Sequence, residues 1–79
     1  MTHYNADETL ISLGHEIWFM RERAGMTQAE LAKKLRTSKE VVSKIETGQY
    51  NLLLGTLLEI AHIFGRRLQM RLIKRKGSA

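Results

Sequence analysis

From Thr27 to Gly48 the apolar side chains return every three or four residues, with Leu31, Ala32 and Leu35 in one half and Val42 and Ile45 in the other. That spacing puts each set on one stripe of an α-helix. Boundary residues stand where the stripes stop. Thr27 is placed as an N-cap, and Glu30 three residues later completes a capping box. Ser38 caps the following helix and Gly48 closes it. Upstream, Leu10, Gly14, Ile17, Trp18 and Arg21 share one helical face, with Leu13, Met20 and Ala24 beside them. Asp7 or Thr9 caps this helix, which is predicted to run to about Ala24 before Gly25 ends it, and Trp18 is expected in the core. Residues 49–53 read as a loop, and a fourth helix is predicted from about Leu54 to Phe64 with Gly65 as its stop. From Arg66 to Lys74 the period falls to two, with Leu68, Met70 and Leu72 on one side and Arg67, Gln69 and Arg71 on the other. That alternation predicts a strand.

The two central helices carry the functional signal. Short helices that cross steeply need a small residue where their axes approach, and Ala32 supplies it. With Val42 and Ile45 turned inward, the later helix keeps Lys39, Glu40, Ser43, Lys44 and Thr47 on its outer face. These groups suit base edges: lysine donates to guanine O6 and N7, glutamate accepts from cytosine N4, and serine serves either way. Val41 either touches a thymine methyl or fills a gap in the core. The layout predicts a helix-turn-helix whose second helix enters the major groove of double-stranded DNA.

Composition narrows the alternatives. A chain of 79 residues forms one domain, near the size where a single core is marginal, so support from a second subunit is expected. The absence of Cys excludes disulfides and thiolate metal sites and suits a reducing cytosol. His3, His15 and His62 are scattered without metal-binding spacing, and His15 and His62 are expected on helix surfaces or boundaries. No glycine-rich loop follows a strand, and so small a chain offers no pocket for a catalytic triad. The expectation is a protein that is no enzyme and takes no metal or cofactor. No apolar run approaches the ~18 residues of a membrane span and no signal-peptide pattern opens the chain, so a cytoplasmic, nucleoid-associated protein is expected. Through Gly65 the chain holds seven basic and eight acidic residues, whereas the rest holds six basic and no acidic ones. The net charge of +5 therefore comes from the tail, which suits phosphates or an acidic partner.

At the central helices the chain resembles the Cro/C1-type helix-turn-helix family, also called the XRE family. The resemblance rests on Thr27-Gln28-x-Glu30-Leu31-Ala32, on Val42 and Ile45, and on the Ile45-Glu46-x-Gly48 ending, and it spans about Leu13 to Gly65. It implies an all-α, lambda-repressor-like four-helix domain. It also implies an ion pair between Arg21 and Glu46 that pins the recognition helix to the first helix, so that losing one partner strands a partly buried charge. Base contacts are implied for Ser38, Lys39, Glu40, Ser43 and Lys44. Phosphate contacts are implied for Gln28, which also braces the recognition helix, and for the stretch from Thr47 through Gln49 to Asn51.

Three departures from the family pattern matter. Arg36 stands where the turn usually has Gly; a left-handed Arg36 carries strain on the order of 1 kcal/mol, and a phosphate contact from it recovers part of that. Leu52 and Leu53 replace the usual Pro and capping Ser before helix four, leaving the start of that helix open. A strand-like segment stands in place of the fifth helix. A lone strand leaves backbone groups unpaired, so a partner strand from a second copy is expected, with Leu68, Met70 and Leu72 covering the bundle. Helix one or helix four remain alternative dimer surfaces. The predicted organisation is a leader at 1–7, the DNA-binding domain at 8–65, a dimerising strand at 66–74 and a basic tail at 75–79. The layout is similar to HipB-type antitoxins, which implies a homodimer repressing its own operon from a palindromic operator and binding a toxin. The alternative expectation is a targeting or controller module serving a separate enzyme, such as a restriction-modification system.

Overall fold

A computed structural model describes residues 6–74 and Lys76. Among these residues the chain forms four helices: α1 (Ala6–Arg23), α2 (Gln28–Leu35), α3 (Lys39–Glu46) and α4 (Leu54–Ile63). The all-α fold is as the sequence predicts, and each boundary has a local cause. Thr27 Oγ1 accepts from the Glu30 N–H at 3.0 Å, and Glu30 Oε1 accepts from the Thr27 N–H at 2.7 Å, completing the capping box. Ser38 Oγ accepts from the Val41 N–H at 3.2 Å and starts α3. Leu53 starts α4 with no side-chain cap.

All four helices end the same way. One or two residues past each end the chain turns left-handed, and the next N–H reaches back five residues: Met26 to the Arg21 carbonyl (3.1 Å), Thr37 to Ala32 (2.9 Å), Gln49 to Lys44 (2.8 Å) and Arg66 to Ala61 (2.8 Å). This closure satisfies carbonyls that the helix leaves open. Three of the left-handed positions are glycines, and the fourth is Arg36 at φ 56°. Arg36 therefore holds the strained conformation expected of it.

The core gathers the predicted stripes. Ile17 of α1, Leu31, Ala32 and Leu35 of α2, Val42 and Ile45 of α3 and Ile60 of α4 are buried together. Val41 is half-buried against this cluster. At Gly14, α1 passes so close to α3 that an added Cβ would lie 2.9 Å from the Glu46 carbonyl carbon and oxygen, with the Ile45 carbonyl oxygen nearer still.

Several expectations are corrected. Helix α1 begins at Ala6, so Asp7 and Thr9 lie within it rather than ahead of its first turn. The rest of the expected leader, residues 1–5 with His3, lies outside the described residues, as does the expected tail apart from Lys76. Trp18 is 39% exposed: it stacks on His15 with ring centroids 5.3 Å apart, because α3 covers only the flank of α1 that carries Gly14 and Arg21. Residues 66–74 form no strand within the single chain. Leu68 is half-buried, lining a groove with Leu13 and Leu57, but Met70 and Leu72 are exposed and do not cover the bundle.

Candidate nucleic-acid interface

Helix α3 is held from its inner side by one carboxylate. Glu46, with its side chain 2% exposed, accepts from Arg21 Nε at 2.6 Å through Oε2 and from Arg21 Nη2 at 3.1 Å through Oε1. Gln28 Nε2 donates to the same Oε1 at 3.0 Å. One buried acid thereby ties α1, the start of α2 and the end of α3 into a single unit. The Arg21 side chain, 7% exposed, also donates from Nη1 to the Met26 carbonyl at 2.6 Å and lies 3.2 Å from Glu22 Oε2. The hydrogen bond with Glu46 raises the Arg21 pKa further above its ordinary high value, against the opposing effect of burial. Every polar atom of this buried cluster is satisfied, the condition under which an ion pair of this kind is tolerated in a small core.

With its inner side fixed, α3 turns Lys39, Glu40 and Lys44 outward, all exposed, and Ser43 half-exposed. Ser38 is exposed at the cap, its oxygen engaged by Val41. The structure thus brings together on one face the five residues named for base contact. At the N-terminus of α2, Thr27, Gln28, Ala29 and Lys39 line a common hollow. The first two N–H groups of that helix, from Gln28 and Ala29, have no acceptor among the hydrogen bonds of the turn. Free N–H groups at a positive helix end suit an anionic oxygen.

Comparison with known proteins agrees with this geometry. The family model described as Helix-turn-helix matches residues 20–70. The chain belongs to the Cro/C1-type helix-turn-helix family. As a member it is a DNA-binding helix-turn-helix regulator of transcription. An uncharacterized HTH-type transcriptional regulator from Archaeoglobus fulgidus is 41% identical over 49 residues, which cover 62% of this chain and 70% of that protein. Among solved structures, the restriction-modification controller protein C.AhdI from Aeromonas hydrophila superposes with a TM-score of 0.74 at 23% identity, covering 81% of this chain and 93% of that one. At that identity the likeness is one of fold.

Within this helix-turn-helix protein the remaining candidates are dispersed. Arg36 sits at the far end of α2, about 12 Å along the axis from Gln28 at ~1.5 Å per residue. Its side chain is 85% exposed and its nearest acid is Glu59 of α4, at 4.0 Å. The Thr47 hydroxyl donates back to the carbonyls of Ser43 at 2.9 Å and Lys44 at 3.3 Å, so its proton is already engaged. Gln49 and Asn51 are exposed in the loop after α3. The Met26 carbonyl and Glu22, both partners of Arg21, were missed by the sequence reading, since nothing in the spacing ties them to Glu46. The close approach at Gly14 did leave a signal, a glycine in the middle of a helix.

Proposed function

We propose that this protein is a transcriptional repressor that binds a palindromic operator as a homodimer, with α3 in the major groove, and acts by excluding polymerase from the promoter. The observation that carries the reading is the Glu46 clamp. A carboxylate buried on the inner side of α3 sets that helix's rotation, and the opposite side then presents Lys39, Glu40 and Lys44 with no ion pair or side-chain hydrogen bond among the described residues. Gln28 joins the clamp to the start of α2, where a phosphate would dock. Gln49 and Asn51 add neutral donors along the backbone, and Arg36 serves a phosphate only if it leaves Glu59. The activity is binding alone, with no reaction catalysed.

Fluorescence anisotropy on a selected operator tests the roles. Lys44→Ala should weaken specific binding by about 1–3 kcal/mol and relax one base position, whereas Gln28→Ala should weaken binding to all sequences alike. Unchanged operator affinity in both variants would remove α3 from the reading role.

The dimer is supported by what the single chain leaves open. Met70, Leu72 and Ile73 are all exposed beside a backbone with no ladder partner, and a second copy supplies both cover and hydrogen bonds. Two-fold pairing would set the two α3 helices about 34 Å apart, one turn of DNA. Light scattering of a Met70→Glu/Leu72→Glu variant is expected to give a monomer, and a persistent dimer would refute pairing through this segment. Autoregulation and toxin binding complete the proposal: the selected operator should lie in the protein's own promoter, and the product of the adjoining gene should co-purify with it.

A further inference from the structure

The outer face of α3 carries an unusual set of hydrogen-bonding groups. Lys39 and Lys44 can only donate and ionised Glu40 can only accept. None of the three takes part in an ion pair or side-chain hydrogen bond among the described residues, although Glu40 and Lys44 stand four residues apart, a spacing at which such pairs form. The other potential readers are compromised: the Ser38 oxygen is engaged at the cap, and Ser43 and Val41 are half-buried, Val41 against the core. No Asn or Gln lies on α3, so the paired donor and acceptor that recognise adenine are missing.

We infer that Glu40 is the specificity-determining residue of the interface and that each half-site has a G·C-rich core, with guanines opposite Lys39 and Lys44 and a cytosine at Glu40. This rests on α3 being the reading helix, as proposed above. Glu40 acts chiefly by rejection. A carboxylate brought between phosphates is repelled and desolvated unless an amino group meets it. Cytosine N4 offers that group with no acceptor beside it on the same base. Adenine N6 stands next to N7, which repels the second carboxylate oxygen, and guanine O6 and thymine O4 offer acceptors only. In the free protein the carboxylate needs no partner, because it lies in the first turn of α3 where the helix dipole favours it. From Lys39 to Lys44 the helix advances about 7.5 Å, roughly two base-pair steps of ~3.4 Å, so the core spans about three base pairs.

The test is selection from a randomised duplex pool at about 150 mM salt, run on the full chain and on Glu40→Gln, with circular dichroism verifying that both are folded. The wild type should enrich a half-site core of G·C pairs. Glu40→Gln, whose amide can bond both N6 and N7 of adenine, should exchange one cytosine for adenine and leave the other positions alone. It should bind the wild-type site about 5- to 150-fold more weakly. An A·T core in the wild type, or unchanged base preferences in Glu40→Gln, would overturn the assignment while leaving α3 as the reader. No enriched sequence at all in the wild type would refute the reading role of α3 and the inference with it.

Discussion

Replacing Arg21 with Met puts the clamp to a direct test. Methionine keeps most of the apolar stem and removes the guanidinium, leaving Glu46, whose side chain is 2% exposed, with Gln28 as its remaining partner. Stranding one member of a buried pair costs about 3–5 kcal/mol. Because the Gln28 bond at 3.0 Å persists, the lower end applies, about 3 kcal/mol. A domain of this length has roughly 4–12 kcal/mol of total stability, so the variant should lie near the edge of folding. With a urea slope near 1 kcal/mol/M for so small a protein, the midpoint should fall by roughly 3 M, followed by helical circular dichroism. The raised folded-state pKa of Arg21 means that its contribution is complete below the ordinary arginine range and is lost only as pH climbs above it. Arg21 of the wild type is therefore fully charged at both about pH 6 and about pH 9. The double variant Arg21→Met/Glu46→Leu removes both charges and should return to within about 1 kcal/mol of the wild type. It should still bind DNA poorly, because Gln28 has lost the group that orients it. A single variant costing less than about 1 kcal/mol, or a double variant no more stable than the single, would refute the argument that a paired, buried charge fixes α3.

Three further outcomes follow from local geometry. Gly14→Ala should destabilise by about 2 kcal/mol or more, since its Cβ would meet the Ile45 and Glu46 carbonyls, whereas Gly55→Ala, with nothing within 4 Å, should stabilise by about 0.5–1 kcal/mol; urea midpoints moving the other way would contradict the packing of α1 on α3. Arg36→Gly should stabilise by up to about 1 kcal/mol by relieving the left-handed strain, since the exposed 4.0 Å pair with Glu59 contributes little; a clear loss would mean that this pair matters. The Thr27 N–H holds the Glu30 carboxyl below the usual glutamate range, so its contribution is present above the ordinary glutamate pKa and is lost as pH falls through the lowered one. The stability advantage of the wild type over Glu30→Gln should accordingly shrink below about pH 4, and a gap independent of pH would rule out the charged capping box.

The elements that the sequence predicted correctly are those whose cause lies within about five residues. Thr27, Ser38, Gly25, Gly48 and Gly65 act on neighbouring backbone, so the limits of α2 and α3 and the ends of α1 and α4 are written locally. The core stripes of α2 and α3 were legible for a related reason: a short helix has one apolar face, and burying it leaves little choice of orientation. The outer face of α3 follows by subtraction. The family resemblance added Arg21 and Glu46, a pair that spacing alone cannot join.

By itself, then, the sequence determined the four helices, their stops and the inward stripes of the central pair, because helical period and capping are properties of the chain within one or two turns. Only the tertiary structure decided what each face meets. Periodicity put Trp18 on the stripe with Ile17, but α3 covers the Gly14 and Arg21 flank and leaves the ring half in water. Alternation marked 66–74 as a strand, yet a strand exists only against a partner, and the described residues of the single chain provide none. The Glu46 clamp joins residues 18 and 25 positions apart; it forms because three helices converge on one buried carboxylate, and that convergence fixes which side of α3 faces out.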